Sequence, residues 1–123
     1  MNKVLVVDDA AFARRQTRSI LERVGFNVVE ATNGEDAITL FDSFAPDIAL
    51  MDLTMPRMGG LEAIKAIRVK HPNAKVIVIT VVDQLDVLRK ARDAGALDVI
   101  IKPYNEDRLL RSIRDGLRTT RPA

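Results

Sequence analysis

Carboxylate, hydroxyl and ammonium side chains end four apolar segments of this chain. Asp8 and Asp9 follow the apolar segment 3–7, and Asp52 ends the segment 48–52. Thr80 ends the segment 75–80, and Lys102 ends the segment 99–102. If these segments are parallel strands, their carboxyl ends lie at one edge of a sheet, where open α/β folds place their chemistry. The sequence therefore predicts that the five side chains meet at one site.

Three carboxylates at one sheet edge need a cation. Two of them about 4 Å apart repel each other by about 4 kcal/mol at an effective dielectric constant of about 20. No Cys or His accompanies Asp8, Asp9 and Asp52, and oxygen ligands alone favour a hard divalent ion. A few carboxylates with open coordination positions suit Mg²⁺, so we predict a magnesium site.

The same residue types are those that phosphoryl transfer requires. A carboxylate such as Asp52 can act as the nucleophile and form an acyl phosphate. A metal ion and a lysine then neutralise the charge on the phosphoryl oxygens, and a hydroxyl donates a hydrogen bond to them. Lys102 and Thr80 are suited to these two roles.

The elements that must position these residues alternate between strand and helix patterns. Apolar, β-branched runs predict strands at residues 3–8, 27–31, 48–52, 75–80 and 99–102. Helical periodicity fills the intervals, and this alternation implies parallel pairing and a three-layer αβα sandwich. The polar residues Asn27 and Glu30 mark the second strand as an edge, which favours the flavodoxin-like order 2-1-3-4-5.

Each predicted helix has an apolar face, and most have a boundary signal. Asn33, Asp83 and Asn105 are predicted N-caps, and Gly25 and Gly95 are predicted to end helices in the left-handed conformation. The residues expected to face the core are Ala13, Thr17, Ile20, Leu21 and Val24, then Ala37, Leu40, Phe41 and Phe44, then Leu61, Ile64 and Ile67, then Leu85, Leu88 and Ala91, and finally Leu109, Leu110, Ile113 and Leu117.

The composition indicates a single folded domain. Of 123 residues, 47% are hydrophobic and 29% charged, and the absence of cysteine excludes disulfides and thiolate metal sites. The chain shows neither a signal-peptide pattern nor an apolar run near the ~20 residues of a membrane helix, so a soluble cytoplasmic protein is expected. The net charge of +2 and the 4% aromatic content argue against direct nucleic-acid binding.

Taken together, these motifs resemble the response-regulator receiver domain of two-component signalling, and most of all its stand-alone chemotaxis (CheY-like) type. The resemblance rests on residues 4–9, Asp52 with Met55-Pro56 and Gly60, Thr80, and Lys102-Pro103-Tyr104. It covers the chain from Lys3 to about Leu117. Residues 1–118 are therefore expected to form the receiver domain and residues 119–123 a short tail.

The resemblance implies a role for each site residue. Asp52 would be the phosphoacceptor, and Asp9 and Asp52 would bind Mg²⁺ directly, together with the backbone carbonyl of Thr54. Asp8 would act on the metal through water. Lys102 would contact both the phosphoryl group and Asp52.

The resemblance also implies how a signal reaches and leaves the site. A histidine kinase would donate the phosphoryl group, and Thr80 would move towards it. A downstream protein would then bind the face formed by the fourth helix, the fifth strand and the fifth helix. The Lys102–Pro103 bond would be cis, a form that only an X-Pro bond adopts cheaply. The protein would be a monomer without membrane contact, and its only catalysis would act on itself.

Three positions depart from the common receiver pattern. Val81, followed by Val82, stands where a small residue is usual, and it is expected to crowd the path of an attacking water. Val99 replaces an aromatic residue that swings inward with the threonine, so this aromatic switch is missing. Gly59 stands where an acidic or amide residue is common, which loosens the loop.

Several alternatives stay open or are opposed by single residues. A chemotaxis switch, a phosphorelay intermediate and a receiver fragment of a larger regulator all fit the sequence. An aspartyl-nucleophile phosphatase of the haloacid-dehalogenase type needs a second acid two residues after the nucleophile, where this chain has Thr54. A flavodoxin-like FMN carrier needs a Ser/Thr-rich loop where this chain has Asp8-Asp9-Ala10, and no Gly-rich P-loop is present.

Other conspicuous residues have simpler interpretations. His71 is expected to be a solvent-exposed loop residue, Met55 and Met58 to anchor their loop by packing, and Tyr104 to pack beside the site. Arginines recur at helical spacing in the last helix, at Arg108, Arg111, Arg114, Arg118 and Arg121. They form either a solvated face or a surface for an acidic partner protein.

Overall fold

The computed structural model describes residues 2–55 and 58–119. Five strands and five helices alternate in this part of the chain. They are β1 (Lys3–Val7), α1 (Ala11–Arg23), β2 (Asn27–Ala31), α2 (Gly34–Phe44), β3 (Ile48–Asp52), α3 (Gly60–Lys70), β4 (Val76–Thr80), α4 (Leu85–Ala94), β5 (Asp98–Ile101) and α5 (Glu106–Arg118). Two predictions involve residues outside this part of the chain: the family resemblance includes Pro56, and the arginine stripe of the last helix includes Arg121. The predicted tail also lies outside it, except for residue 119.

The sheet has the predicted topology. All neighbouring strands pair in parallel, in the order β2-β1-β3-β4-β5. Strands β3 and β4 lie in the middle of the sheet and are buried at every position, which is why their sequences are continuous apolar runs. Strand β2 is an edge, with Asn27 exposed.

Helices cover both faces of the sheet, which confirms the three-layer αβα sandwich. On one face, α1 and α5 pack through Ile20, Leu21, Leu109 and Ile113. On the other face, the apolar sides of α2, α3 and α4 enclose a second core. The residues that they contribute to it include Ala37, Phe41, Ala63, Ile64, Ile67, Ala91 and Ala94.

Four of the five predicted helix boundary signals are confirmed. The side chains of Asn33 and Asn105 each accept a hydrogen bond, of 2.8 Å, from the backbone N–H three residues later, as N-caps do. Gly25 and Gly95 adopt φ of +97° and +114°, which glycine adopts without the steric cost that a Cβ brings.

Three predictions about helix ends are wrong. The N-cap of α4 is Gln84, whose carbonyl accepts the first bonds from Val87 and Leu88, so the predicted cap Asp83 lies one residue too early. Val24 is 47% exposed because it is the C-cap of α1, where the backbone leaves helical geometry. Leu85 is 61% exposed at the first residue of α4, and in both cases the apolar periodicity runs past the packed part of the helix.

Two strands that carry site residues end one residue earlier than predicted. Strand β1 ends at Val7 and β5 at Ile101, so Asp8 and Lys102 follow their strands instead of ending them. No helix within residues 2–55 and 58–119 is long and apolar enough to cross a membrane.

Candidate functional site

The three predicted acids meet at the carboxyl edge of the sheet. Strands β1 and β3 are neighbours, with Val7 opposite Met51, so the next residue of each strand brings Asp8 beside Asp52. One carboxylate oxygen from each of Asp8, Asp9 and Asp52 lies within 4.8 Å of the other two. Asp8 and Asp52 are buried, whereas Asp9 is exposed. The cluster offers only oxygen donors, and it therefore fits a hard divalent cation such as Mg²⁺.

Asp52 has a perturbed acidity. Burial raises the pKa of its carboxyl group to about 6, and the neighbouring Asp8 adds to this increase. Two contacts oppose the increase: the Thr54 N–H donates to Asp52 Oδ1 over 3.0 Å, and the Lys102 ammonium lies nearby. A buried carboxyl group whose pKa is shifted by a specific charged neighbour is typical of a functional site.

Lys102 reaches both buried acids but lies closer to one of them. Its Nζ donates to Asp8 Oδ2 over 3.0 Å and is 3.9 Å from Asp52 Oδ2. The predicted approach of Lys102 to Asp52 is thus present as an ion pair, and the shorter contact with Asp8 did not follow from the sequence. Asp8 is held in turn by the Ala10 N–H, which donates to its Oδ1 over 2.9 Å.

Thr80 lies at the end of β4 and is fully buried. Its Oγ1 accepts a hydrogen bond from the Val82 N–H over 3.1 Å, and its carbonyl accepts one from the Lys102 N–H over 2.7 Å. The second bond ties the residue that precedes Pro103 to the end of the neighbouring strand. The Lys102–Pro103 peptide bond is cis, as the family resemblance implied.

Gly60 brings α3 directly against the backbone of Asp52. A Cβ at this position would overlap the Asp52 carbonyl oxygen and lie 2.8 Å from Leu53 Cα. At Gly59, a Cβ would meet only the Leu53 carbonyl oxygen, at 3.7 Å. Met55 and Met58 pack against the core from this loop, as predicted.

Sequence reasoning missed an ion network beside the acids. Arg14 donates to the Asp8 carbonyl oxygen over 2.9 Å and to Glu30 over 2.7 Å, and Arg18 donates to the other oxygen of Glu30 over 2.7 Å. The bond from Arg18, together with that from Arg14, holds the pKa of Glu30 below its usual value. The two arginines are spaced four residues apart in α1, but the pairing of β1 with β2 was needed to bring Glu30 to them.

The arginines of α5 do not form one uniform face. Arg108 donates to both carboxylate oxygens of Asp98, over 2.9 and 3.3 Å, and Ser112 donates to the same carboxylate over 2.7 Å. Burial raises the pKa of Asp98, but the bonds from Arg108 and Ser112 outweigh it and hold the pKa low. Arg111 and Arg114 are exposed.

His71 lies just after α3 and is half-buried, and its contacts with two residues of α2 were not predicted from the sequence. Its side chain is 37% exposed, its Nε2 lies 2.7 Å from Asp42 Oδ1, and its ring centroid lies 5.2 Å from that of Phe41. His71 is at the C-cap of α3, far along the chain from its α2 partners, so only the packing of the two helices brings them together.

Two cavities adjoin the site. A void of about 10 Å³ beneath it is lined by Asp8, Thr17, Asp52 and Lys102 together with apolar residues of the sheet. A groove of about 730 Å³ runs between α1 and the loop that carries Pro103 and Tyr104. Tyr104 lies beside the site, as predicted, and packs against the core that α1 and α5 share.

Known proteins resemble the chain over nearly its whole length. The profile of the response regulator receiver domain matches residues 4–114. The chemotaxis protein CheY of Thermotoga maritima is 43% identical over 112 residues, 90% of this chain and 93% of that protein. CheY of Listeria monocytogenes is 43% identical over 114 residues, 92% and 96% of the two chains. The crystal structure of the CheX–CheY–BeF3–Mg²⁺ complex from Borrelia burgdorferi matches with a TM-score of 0.91 and 29% identity, over 96% and 90% of the chains.

Proposed function

Because this chain belongs to the family of response regulator receiver domains, we propose that it is a phosphorylation-dependent switch in which Asp52 accepts a phosphoryl group from a histidine kinase. The observation that carries the proposal is the site at the sheet edge. Three carboxylates lie within 4.8 Å of one another, and an ammonium group lies 3.0 and 3.9 Å from two of them.

The transfer would be a displacement at phosphorus. A carboxylate oxygen of Asp52 forms a bond to the phosphorus atom while the phosphorus–nitrogen bond of the kinase phosphohistidine breaks. The bonding electron pair stays on that nitrogen, and the histidine, whose other ring nitrogen carries a proton, leaves as neutral imidazole. Lys102 offsets the negative charge that spreads over the transferred phosphoryl oxygens. The Thr54 N–H, which donates to Asp52, holds one carboxylate oxygen so that the other is free to attack.

The acids would hold one Mg²⁺ ion. Asp9, Asp52 and the backbone carbonyl of Thr54 are its proposed direct ligands, and Asp8 acts through water. When bound, the ion supplies positive charge to the transferring phosphoryl oxygens. The exposure of Asp9 and the involvement of Asp8 with Lys102 and Ala10 support this division of roles.

The phosphoryl group would change partner binding. A charge of about −1.5 to −2 next to Lys102 and Thr80 biases the surface formed by α4, β5 and α5 between two arrangements. A downstream protein would then bind there. The Borrelia burgdorferi relative likewise forms a complex with another protein, CheX. Arg111 and Arg114 of α5 are exposed, and their charge would favour an acidic partner protein.

The proposal is tested with acetyl phosphate as phosphodonor and intact-mass spectrometry. Wild-type protein with Mg²⁺ should gain the mass of one phosphoryl group, and Asp52→Asn should gain none. Asp9→Ala should remain folded by circular dichroism but bind Mg²⁺ at least about tenfold more weakly, since it loses a charged ligand. An adduct of equal yield on Asp52→Asn would refute the phosphoacceptor assignment, and unchanged Mg²⁺ affinity would remove Asp9 from the metal site.

A further inference from the structure

We infer that Thr17 and Tyr104 form a hydroxyl clamp that positions Lys102 for phosphoryl transfer. Thr17 Oγ1 and Tyr104 Oη lie 2.6 Å apart and join residues 87 positions apart in the chain. Thr17 is on α1, and Tyr104 is in the loop between β5 and α5. The inference rests on the proposed function, because it names two further residues of the same site.

Thr17 uses its hydroxyl differently from Thr39 and Ser43, the two hydroxyl residues of α2. Each of those two donates to the backbone carbonyl four residues earlier, which is the usual local bond of such side chains in helices. Thr17 is 6% exposed and reaches across to the loop instead. A buried hydroxyl that leaves its local acceptor for a distant partner fixes the distance between two elements.

The two elements that it joins carry the opposite charges of the site. Tyr104 is two residues after Lys102, whose own N–H donates to the Thr80 carbonyl over 2.7 Å. Helix α1 begins two residues after Asp9, and Thr17 lines the same small void as Asp8, Asp52 and Lys102. The clamp therefore anchors the far side of the loop to the helix that follows the acid pair.

Tyr104 packs against the core on one side of this loop, but the other side of the loop faces a groove. The groove of about 730 Å³ between α1 and the loop is lined by Thr17, Lys102, Pro103 and Tyr104, so the loop has open space beside it. With the 2.6 Å bond in place, the Lys102 ammonium is held 3.0 Å from Asp8. Without it, the loop can move into the groove and carry Lys102 away from the acids.

The test removes each hydroxyl singly and then both. Thr17→Val and Tyr104→Phe each delete one partner at nearly constant shape, Thr17→Ser keeps the hydroxyl, and the double variant closes a double-mutant cycle. Each is phosphorylated by acetyl phosphate over a range of donor concentrations, with Mg²⁺ affinity and thermal midpoint measured alongside. The ε-methylene NMR signal of Lys102, assigned from its loss in Lys102→Ala, reports the position of the lysine without phosphorylation.

We expect each deletion to lower the maximal phosphorylation rate by about threefold to tenfold, the factor that one net hydrogen bond gives. The double variant should be no slower than the singles, Thr17→Ser should be close to wild type, and Mg²⁺ affinity should not change. Wild-type rates in both single variants, additive losses in the double variant, or a Thr17→Ser rate as low as that of Thr17→Val would each overturn the clamp.

Failure of the proposed function gives a different result. If wild-type protein takes up no phosphoryl group, the proposed transfer is refuted. The NMR signal of Lys102 then tests separately whether Thr17 and Tyr104 position the lysine. A Lys102 signal that shifts in Thr17→Val and Tyr104→Phe, but not in Thr17→Ser, supports positioning. A signal that stays in place in all three variants refutes it.

Discussion

Opposing forces set the reactivity of the Asp52 carboxyl group. Burial raises its pKa to about 6, while the Thr54 N–H and the Lys102 ammonium stabilise the ionised form. At neutral pH the group is therefore mostly a carboxylate, which is the form that attacks phosphorus and binds a cation. Its pKa is close enough to neutrality that the proposed reaction should respond to mild acid.

Phosphorylation by acetyl phosphate should slow as the pH falls through about 6 when Mg²⁺ is limiting. Below this pKa the carboxyl group of Asp52 is protonated, and the rate should drop by about tenfold per pH unit. Raising the Mg²⁺ concentration should move the midpoint to lower pH, because the cation favours the ionised form. Initial rates of adduct formation between about pH 5 and about pH 8, at two Mg²⁺ concentrations, measure this. A rate that stays level through pH 6 at low Mg²⁺ would contradict it.

At the scale of elements, the contact between α3 and β3 shapes the backbone of the site. Helix α3 begins at Gly60, where no Cβ fits against Asp52 and Leu53, whereas the preceding Gly59 has ordinary space. Only Gly60 of these two adjacent glycines must lack a side chain for steric reasons. The missing side chain at Gly60 therefore lets the first turn of α3 lie directly against the backbone of Asp52 and Leu53.

Gly60→Ala should both destabilise the protein and impair the site. Overlap with the Asp52 backbone should lower the free energy of unfolding by about 1–3 kcal/mol, and it should weaken Mg²⁺ binding because the Asp52 strand end must move. Gly59→Ala is the matched control. Because Gly59 is the N-cap of α3, it should cost about 0.5–1 kcal/mol but leave Mg²⁺ binding unchanged. Chemical denaturation and Mg²⁺ titration of both variants provide the measurements. Equal behaviour of the two would show that the close approach at Gly60 does not matter.

Elements were predictable from the sequence where local chemistry decides them. Asparagine caps at Asn33 and Asn105 were confirmed because a cap is a contact over three residues. The Asp83 cap was wrong because α4 begins one residue later than predicted, and its N-cap Gln84 makes no side-chain capping bond. The hydrogen bond between Thr17 and Tyr104 could not be predicted from the sequence, because it depends on how α1 packs beside a loop that is 87 residues away in the chain.

At the scale of the whole molecule, the sheet collects functional groups from distant parts of the chain at one edge. Strand order and direction were predictable, because buried central strands and a polar edge strand differ in composition. The placement of Asp8, Asp9, Asp52, Thr80 and Lys102 at one edge follows from that topology. The closer contact of Lys102 with Asp8, at 3.0 Å, than with Asp52, at 3.9 Å, does not follow from the topology, because side-chain packing sets these distances.

Ionisation of Asp52 should reduce the stability of the metal-free fold. Its folded pKa of about 6 lies above the ordinary value of 3.8, so the folded protein holds this proton more tightly than the unfolded chain. That stabilisation is complete below about pH 4 and is lost as the pH rises through about 6. At neutral pH, Asp52→Asn should therefore be more stable than wild type by about 1–2 kcal/mol, a difference that should vanish towards about pH 4.

Denaturant unfolding of both proteins across this pH range measures the difference. Adding Mg²⁺ at neutral pH should stabilise wild type more than Asp52→Asn, because the ion binds the folded state through the ionised carboxylate. Equal stability of the two proteins at neutral pH without metal would show that the buried carboxylate carries no such cost.

The most direct test of the central claim is to identify the atom that receives the phosphoryl group. Borohydride reduces an acyl phosphate of aspartate to the alcohol, which converts the residue to homoserine. After incubation with acetyl phosphate and Mg²⁺ and then borohydride, peptide mass spectrometry should find homoserine at position 52 and only there, and chelation of Mg²⁺ should abolish it. Homoserine at Asp8 or Asp9, or none at position 52 in a protein that has gained a phosphoryl group, would contradict the assignment of Asp52 as the phosphoacceptor.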